Sequence, residues 1–171
     1  VERSQTVQIT NGVQQMTNDN FRAQPFWQEP LALLMLRLGL AWFLFVWAVN
    51  KIIEPGQYVR IWGYFHGIDI GANMPYFMGG AQIVICILAA LGLWRTVSYG
   101  LMFAMHLVTV IVIFPTLIAP FVIENNFPVN RNNAIALAAL GGFAAIWLLR
   151  HRDTWSLDVW LAKRKLERQT A

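Results

Sequence analysis

The chain has 171 residues, of which 57% are hydrophobic and 13% charged, with a formal net charge of +4. A soluble domain carries about 25% charged residues, so there is too little charge here to cover a water-facing surface, and the length allows one domain. This composition excludes a soluble enzyme and points to an integral membrane protein; the basic balance then reports orientation in a bilayer, not a nucleic-acid partner.

Residues 1–24 are rich in Gln, Asn and Thr without helical periodicity. They read as a polar arm, and with Pro25, Phe26, Trp27 and Pro30 they make an arm-plus-anchor region over 1–30. A crossing needs about 20 mostly apolar residues. The first such run is 31–50, LALLMLRLGLAWFLFVWAVN, and it contains Arg37. The polar-aromatic stretch that follows predicts a short interfacial helix near 57–65. The second run covers 75–94, the third begins near Val97 and ends near Pro115 or Pro120, and the fourth covers 133–149. Small residues four apart, Ala138 with Gly142 and Gly141 with Ala145, favour close helix packing. The predicted fold is all-α: a transmembrane four-helix bundle over 31–150, followed by a basic cytoplasmic tail over 151–171. Within that tail, 155–168 has the composition of a basic helix able to lie on anionic lipid.

Four crossings return the chain to its starting side. That side holds Arg3, Arg22, Arg95, Arg150, Arg152, Lys163, Arg164, Lys165 and Arg168, against Lys51, Arg60 and Arg131 on the other. The positive-inside rule then predicts cytoplasmic termini. Cys86, the single cysteine, lies in an apolar run, so neither an internal disulfide nor a thiolate metal cluster is available. No metal site, phosphate loop or catalytic motif is present.

The first span reads R-L-G-L-A-W-F-L-F-V-W-A-V-N-K, the second closes on L-G-L-W-R, and Trp155-Ser156-Leu157-Asp158 follows the fourth. In this order they resemble the DoxX/DoxD family of small four-helix membrane proteins, with its spaced Arg and Lys and its W-S-L-D signature. The resemblance covers 31–158. It implies a bacterial or archaeal cytoplasmic membrane and a subunit of a quinone-linked, respiratory-type redox complex, with membrane subunits and lipids as partners. The chain departs from the pattern where many members carry Glu: Gln82 stands in the second span, and Asn132 and Asn133 at the start of the fourth. Ala41 and Ala48 replace glycines.

Arg37 is the strongest single feature. A charge in a span is costly and faces the bundle interior. It predicts either a carbonyl or hydroxyl of a neighbouring helix as partner, or a quinone carbonyl, a lipid phosphate or an acidic partner residue. Lys51 lies fourteen residues on, within about 40° of Arg37 on the helix surface. It reads as a snorkelling lysine paired with Glu54 at the outer boundary. His106 falls near mid-membrane in the third run. Arg37, Gln82 and His106 are the candidate residues for binding quinone or lipid, with no intrinsic cofactor and no catalytic residue. The expected function is a redox-complex subunit without its own redox centre; the alternative is a purely structural accessory subunit, docking through its arm and tail.

Overall fold

The computed structural model describes residues 27–124, 127–128 and 130–170. The polar arm expected over 1–24 lies outside them. Among the described residues the regular structure is helical apart from a two-residue antiparallel bridge, β1 (Ile123–Glu124) with β2 (Phe127–Pro128). Six α-helices follow one another among the described residues: α1 (Gln28–Ile53), α2 (Pro55–His66), α3 (Met74–Leu91), α4 (Arg95–Ile118), α5 (Ile135–Leu148) and α6 (Leu157–Thr170). A 3-10 turn, Arg131–Ala134, leads into α5.

Three helices, α1, α3 and α4, are long and apolar enough to cross a membrane. At 1.5 Å per residue their 26, 18 and 24 residues extend about 39, 27 and 36 Å, against a hydrocarbon core of about 30 Å. Their outward surfaces carry large apolar side chains that water would not tolerate as a continuous coat, Trp42 and Phe114 among them. The molecule is a membrane protein. α5 is shorter than the others, at 14 residues.

The boundaries have local causes. α1 starts three residues before the predicted run because Pro30 falls in its first turn, where the missing N–H has no helical partner to lose. The division expected between residues 30 and 31 therefore cuts through a helix. α3 ends early, at Leu91, because Gly92 takes φ +69° and closes the helix with a left-handed cap. Gly67, at φ +65°, ends α2 in the same way. α4 continues past Pro115 to Ile118. The expected interfacial helix is α2, which begins on Pro55.

Contacts run from α1 to α3, α3 to α4, α4 to α5 and α5 back to α1, a closed circuit. The core at its centre contains Leu40, Leu44, Ala89, Met102, Phe143 and Ile146. Along α1 the buried stripe is Leu33, Arg37, Leu40, Ala41, Leu44 and Ala48, at the three- and four-residue steps of one helix face. Arg37 belongs to that stripe, so the charge points inward.

Candidate functional site: a charged clasp at the Arg37 end

Arg37 is 3% exposed and meets Asp153, which is fully buried. Arg37 Nη1 donates to Asp153 Oδ2 at 2.7 Å, and Nη2 donates to the carbonyl of Trp155 at 3.1 Å. The Tyr99 hydroxyl, from α4, donates to the same Asp153 Oδ2 at 2.7 Å. The partner of the intramembrane arginine is thus a carboxylate of this chain. It comes from the turn after α5, not from a neighbouring helix, a quinone or another protein. The sequence predicts neutral oxygens or an external group for Arg37 and gives no sign of Asp153 or Tyr99 as its partners.

The turn that carries Asp153 is itself tied down. Arg95 Nη1 donates to the carbonyls of Arg150, at 2.8 Å, and Asp153, at 2.7 Å. Asp158 accepts the backbone N–H groups of Trp94 and Arg95, both at 3.1 Å. It supplies a cap from a distant segment to the N-terminus of α4, where free N–H groups and the helix dipole favour a carboxylate. Its own N–H donates to the Gly92 carbonyl at 3.2 Å. Trp94 sits at φ +48°, a strained left-handed conformation for a bulky residue, and these bonds hold it there.

Gly92 explains why the turn can approach so closely. A Cβ at this position would lie 2.6 Å from the Ser156 Cβ and 2.7 Å from Arg37 Nη1. The L-G-L-W-R close of the second span and the W-S-L-D motif therefore meet in space. Trp155 gives a carbonyl to Arg37, Ser156 packs on Gly92, and Asp158 caps α4. Among the described residues three buried polar side-chain atoms have no partner, Arg37 Nε, Asp153 Oδ1 and Ser156 Oγ, and all belong to this clasp.

The other candidate residues lie elsewhere. Gln82, from α3, donates through Nε2 to the Leu44 carbonyl at 3.2 Å and accepts from Lys51 Nζ at 2.9 Å. Lys51 also donates to the Trp47 carbonyl at 3.3 Å. It turns back along α1 to Gln82 and does not reach outward to the Glu54 that the sequence predicts as its partner. The reason is that side chains on a helix lean toward its N-terminus, and Gln82 offers an oxygen there. His106 Nε2 lies 2.9 Å from the Ala136 carbonyl. Its ring packs on Phe43 and Phe143, with centroids 5.5 and 4.9 Å away.

Arg37, Gln82 and His106 do not converge on one cleft. Two hollows lie at the Arg37 end. One, of about 430 Å³, is lined by Leu91, Trp155, Trp160 and Lys163 among others. The second, of about 500 Å³, is lined by Trp94, Arg95, Arg150 and His151 among others. None of the three candidates lines either hollow. Among the described residues no group of three His, Cys, Asp or Glu is placed to hold a metal ion. Chemically, the clasp can fix the arrangement of α1, α3 and α4 through charge and hydrogen bonding. No protein family, curated protein or solved structure matches the chain.

Proposed function

We propose that this protein is a DoxX/DoxD-like, four-helix integral membrane subunit whose role is structural, docking to and stabilising a larger membrane assembly of the quinone-linked respiratory type. The fourth crossing is made by the 3-10 turn and α5 together. Four residues at about 2.0 Å and fourteen at about 1.5 Å give roughly 29 Å, close to the thickness of the hydrocarbon core. Four crossings would bring both termini to the Arg37 side; the basic residues there support a cytoplasmic assignment, and the DoxX/DoxD resemblance supports a bacterial or archaeal membrane.

One observation carries the structural reading. Each polar side chain expected to receive a quinone already bonds to an oxygen of this chain: Arg37 to Asp153, Gln82 to Leu44, and His106 to Ala136. A ligand pocket needs a few polar groups converging on an apolar cavity, and these three point to separate places. Electrons in such an assembly would pass through partner subunits.

The test uses the double variant Arg37→Met/Asp153→Leu, which removes both charges together. Purified in mild detergent, the variant is expected to retain the copurifying subunits and the quinone-linked turnover of the assembly. Loss of turnover in an intact assembly would assign Arg37 a role toward quinone and overturn the structural reading.

A further inference from the structure

Lys51 carries a charge that the fold leaves unanswered. Its ammonium donates to Gln82 Oε1 at 2.9 Å and the Trp47 carbonyl at 3.3 Å, and the Tyr58 ring covers it at 4.8 Å. All three neighbours are neutral. Among the described residues, ion pairs join Arg37 to Asp153, Arg95 to Asp158 and Arg152 to Glu29. No carboxylate reaches Lys51.

Its direction matters as much as its partners. A lysine at the end of a membrane helix ordinarily extends its ammonium away into water. Lys51 folds back one turn toward Trp47, so the charge sits just inside the end of α1. Gly79 brings α3 against α1 at this point. A Cβ there would lie 2.8 Å from the Ala48 carbonyl oxygen and 3.3 Å from the Lys51 Cβ. The stem of Lys51 therefore lies on α3, and α2 covers it through Tyr58. A cation in such a place calls for an anion, and an ammonium with two of its three donors engaged has one left to give.

We infer that Lys51 holds the phosphate of an anionic phospholipid headgroup, seated between α2 and the contact of α1 with α3. The depth fits, because the ends of the spans are where headgroups lie. At the same end Ile53 and Phe77 are 68% and 76% exposed and offer a surface to acyl chains. Tyr58 stands beside the site with its hydroxyl 3.8 Å from Met78 Sδ, a weak bond that leaves the phenol able to turn to a stronger acceptor. Burial pushes that phenol above its ordinary value, so near neutral pH it is an uncharged donor and does not repel phosphate. The inference is independent of the accessory role proposed above.

The chain has three lysines, Lys51, Lys163 and Lys165, and the wild-type protein can therefore report on the site. Acetylation of each is followed by mass spectrometry in nanodiscs of phosphatidylcholine alone and with added phosphatidylglycerol. Phosphatidylglycerol is expected to slow Lys51 roughly tenfold and the two tail lysines by much less. Equal slowing of all three, which a general surface potential would produce, overturns the proposal, and so does no slowing. Inorganic phosphate added to the phosphatidylcholine discs is expected to leave Lys51 unchanged; protection by phosphate alone would overturn the lipid source. Native mass spectrometry adds a second arm. Lys51→Met is expected to retain about tenfold less phosphatidylglycerol while Lys51→Arg keeps it, and wild-type retention by Lys51→Met would overturn the assignment.

Discussion

Removing either member of the Arg37–Asp153 pair should destabilise this protein more than other single side-chain changes at its charged end. The pair is 2.7 Å long, between residues 3% and 0% exposed. Breaking a buried pair from one side strands the other charge and costs about 3–5 kcal/mol. Asp153→Asn keeps the shape and an acceptor for Tyr99, so the low end, about 3 kcal/mol, is expected. Asp153→Ala also frees the Tyr99 hydroxyl and should reach about 4–5 kcal/mol. Arg37→Met leaves the carboxylate with Tyr99 alone and falls in the same range. The double variant Arg37→Met/Asp153→Leu strands no charge and leaves only the neutral Tyr99 hydroxyl and Trp155 carbonyl without these partners. Apolar replacement of a buried pair is often neutral or better, so its stability should return to within about 1–2 kcal/mol of wild type, a coupling of roughly 3 kcal/mol or more. Denaturant titration in detergent, read by the fluorescence of the eight tryptophans, measures the wild type and the four variants. Single variants that each lose under about 1 kcal/mol, or a double variant as unstable as the sum of the singles, would refute the buried pair as an energetic unit.

Glycine substitutions should separate by position in the same titration. Gly92→Ala must hold φ +69° and a Cβ within 2.6 Å of Ser156, for a loss of about 2–3 kcal/mol. Gly39→Ala meets nothing within 4 Å in mid-helix and should be neutral or gain up to about 1 kcal/mol; similar losses in both would remove the clasp as the reason for Gly92. Tyr99→Phe should cost about 1–3 kcal/mol by taking a donor from a buried carboxylate, and a cost near zero would mean that Arg37 alone satisfies Asp153. The exposed pair of Arg152 with Glu29, 58% and 51% exposed, should contribute under about 0.5 kcal/mol, so Arg152→Ala is the matched surface control. Cys86, 2% exposed, should react with a maleimide only as fast as the protein unfolds, giving an unfolding rate without any substitution; rapid labelling of the native protein would contradict the packing of α1 on α3.

The long helices were legible because an apolar run is a local property, and so were their ends where a glycine or proline writes the cap into the chain. The partner of Arg37 was not legible, and the reason is physical. Asp153 is 116 residues away in sequence and lies in the polar turn after α5, outside every apolar run. A search for a counter-charge along the spans passes it by. What brings it inward is a set of ordinary interactions, each weak as a signal: a glycine without a Cβ, a serine packed on it, an aspartate capping a helix that is not its own. The stretch Trp155-Ser156-Leu157-Asp158 then reads as the tether that pulls Asp153 under the end of the helices. The same reasoning separates Arg37 from Lys51, although they share a face of α1. At the Arg37 end the chain returns with a carboxylate and closes the circuit of charge. At the Lys51 end the residue that faces the ammonium is Gln82, which gives an oxygen but no charge. A glutamate at that position would have neutralised Lys51 within the fold; the amide keeps the hydrogen bond and leaves the positive charge available. The difference between the two ends is one of charge and not of hydrogen bonding, so Gln82→Glu is expected to preserve the fold while abolishing lipid protection of Lys51. Undiminished protection in that variant would show that the charge of Lys51 is not what the headgroup meets.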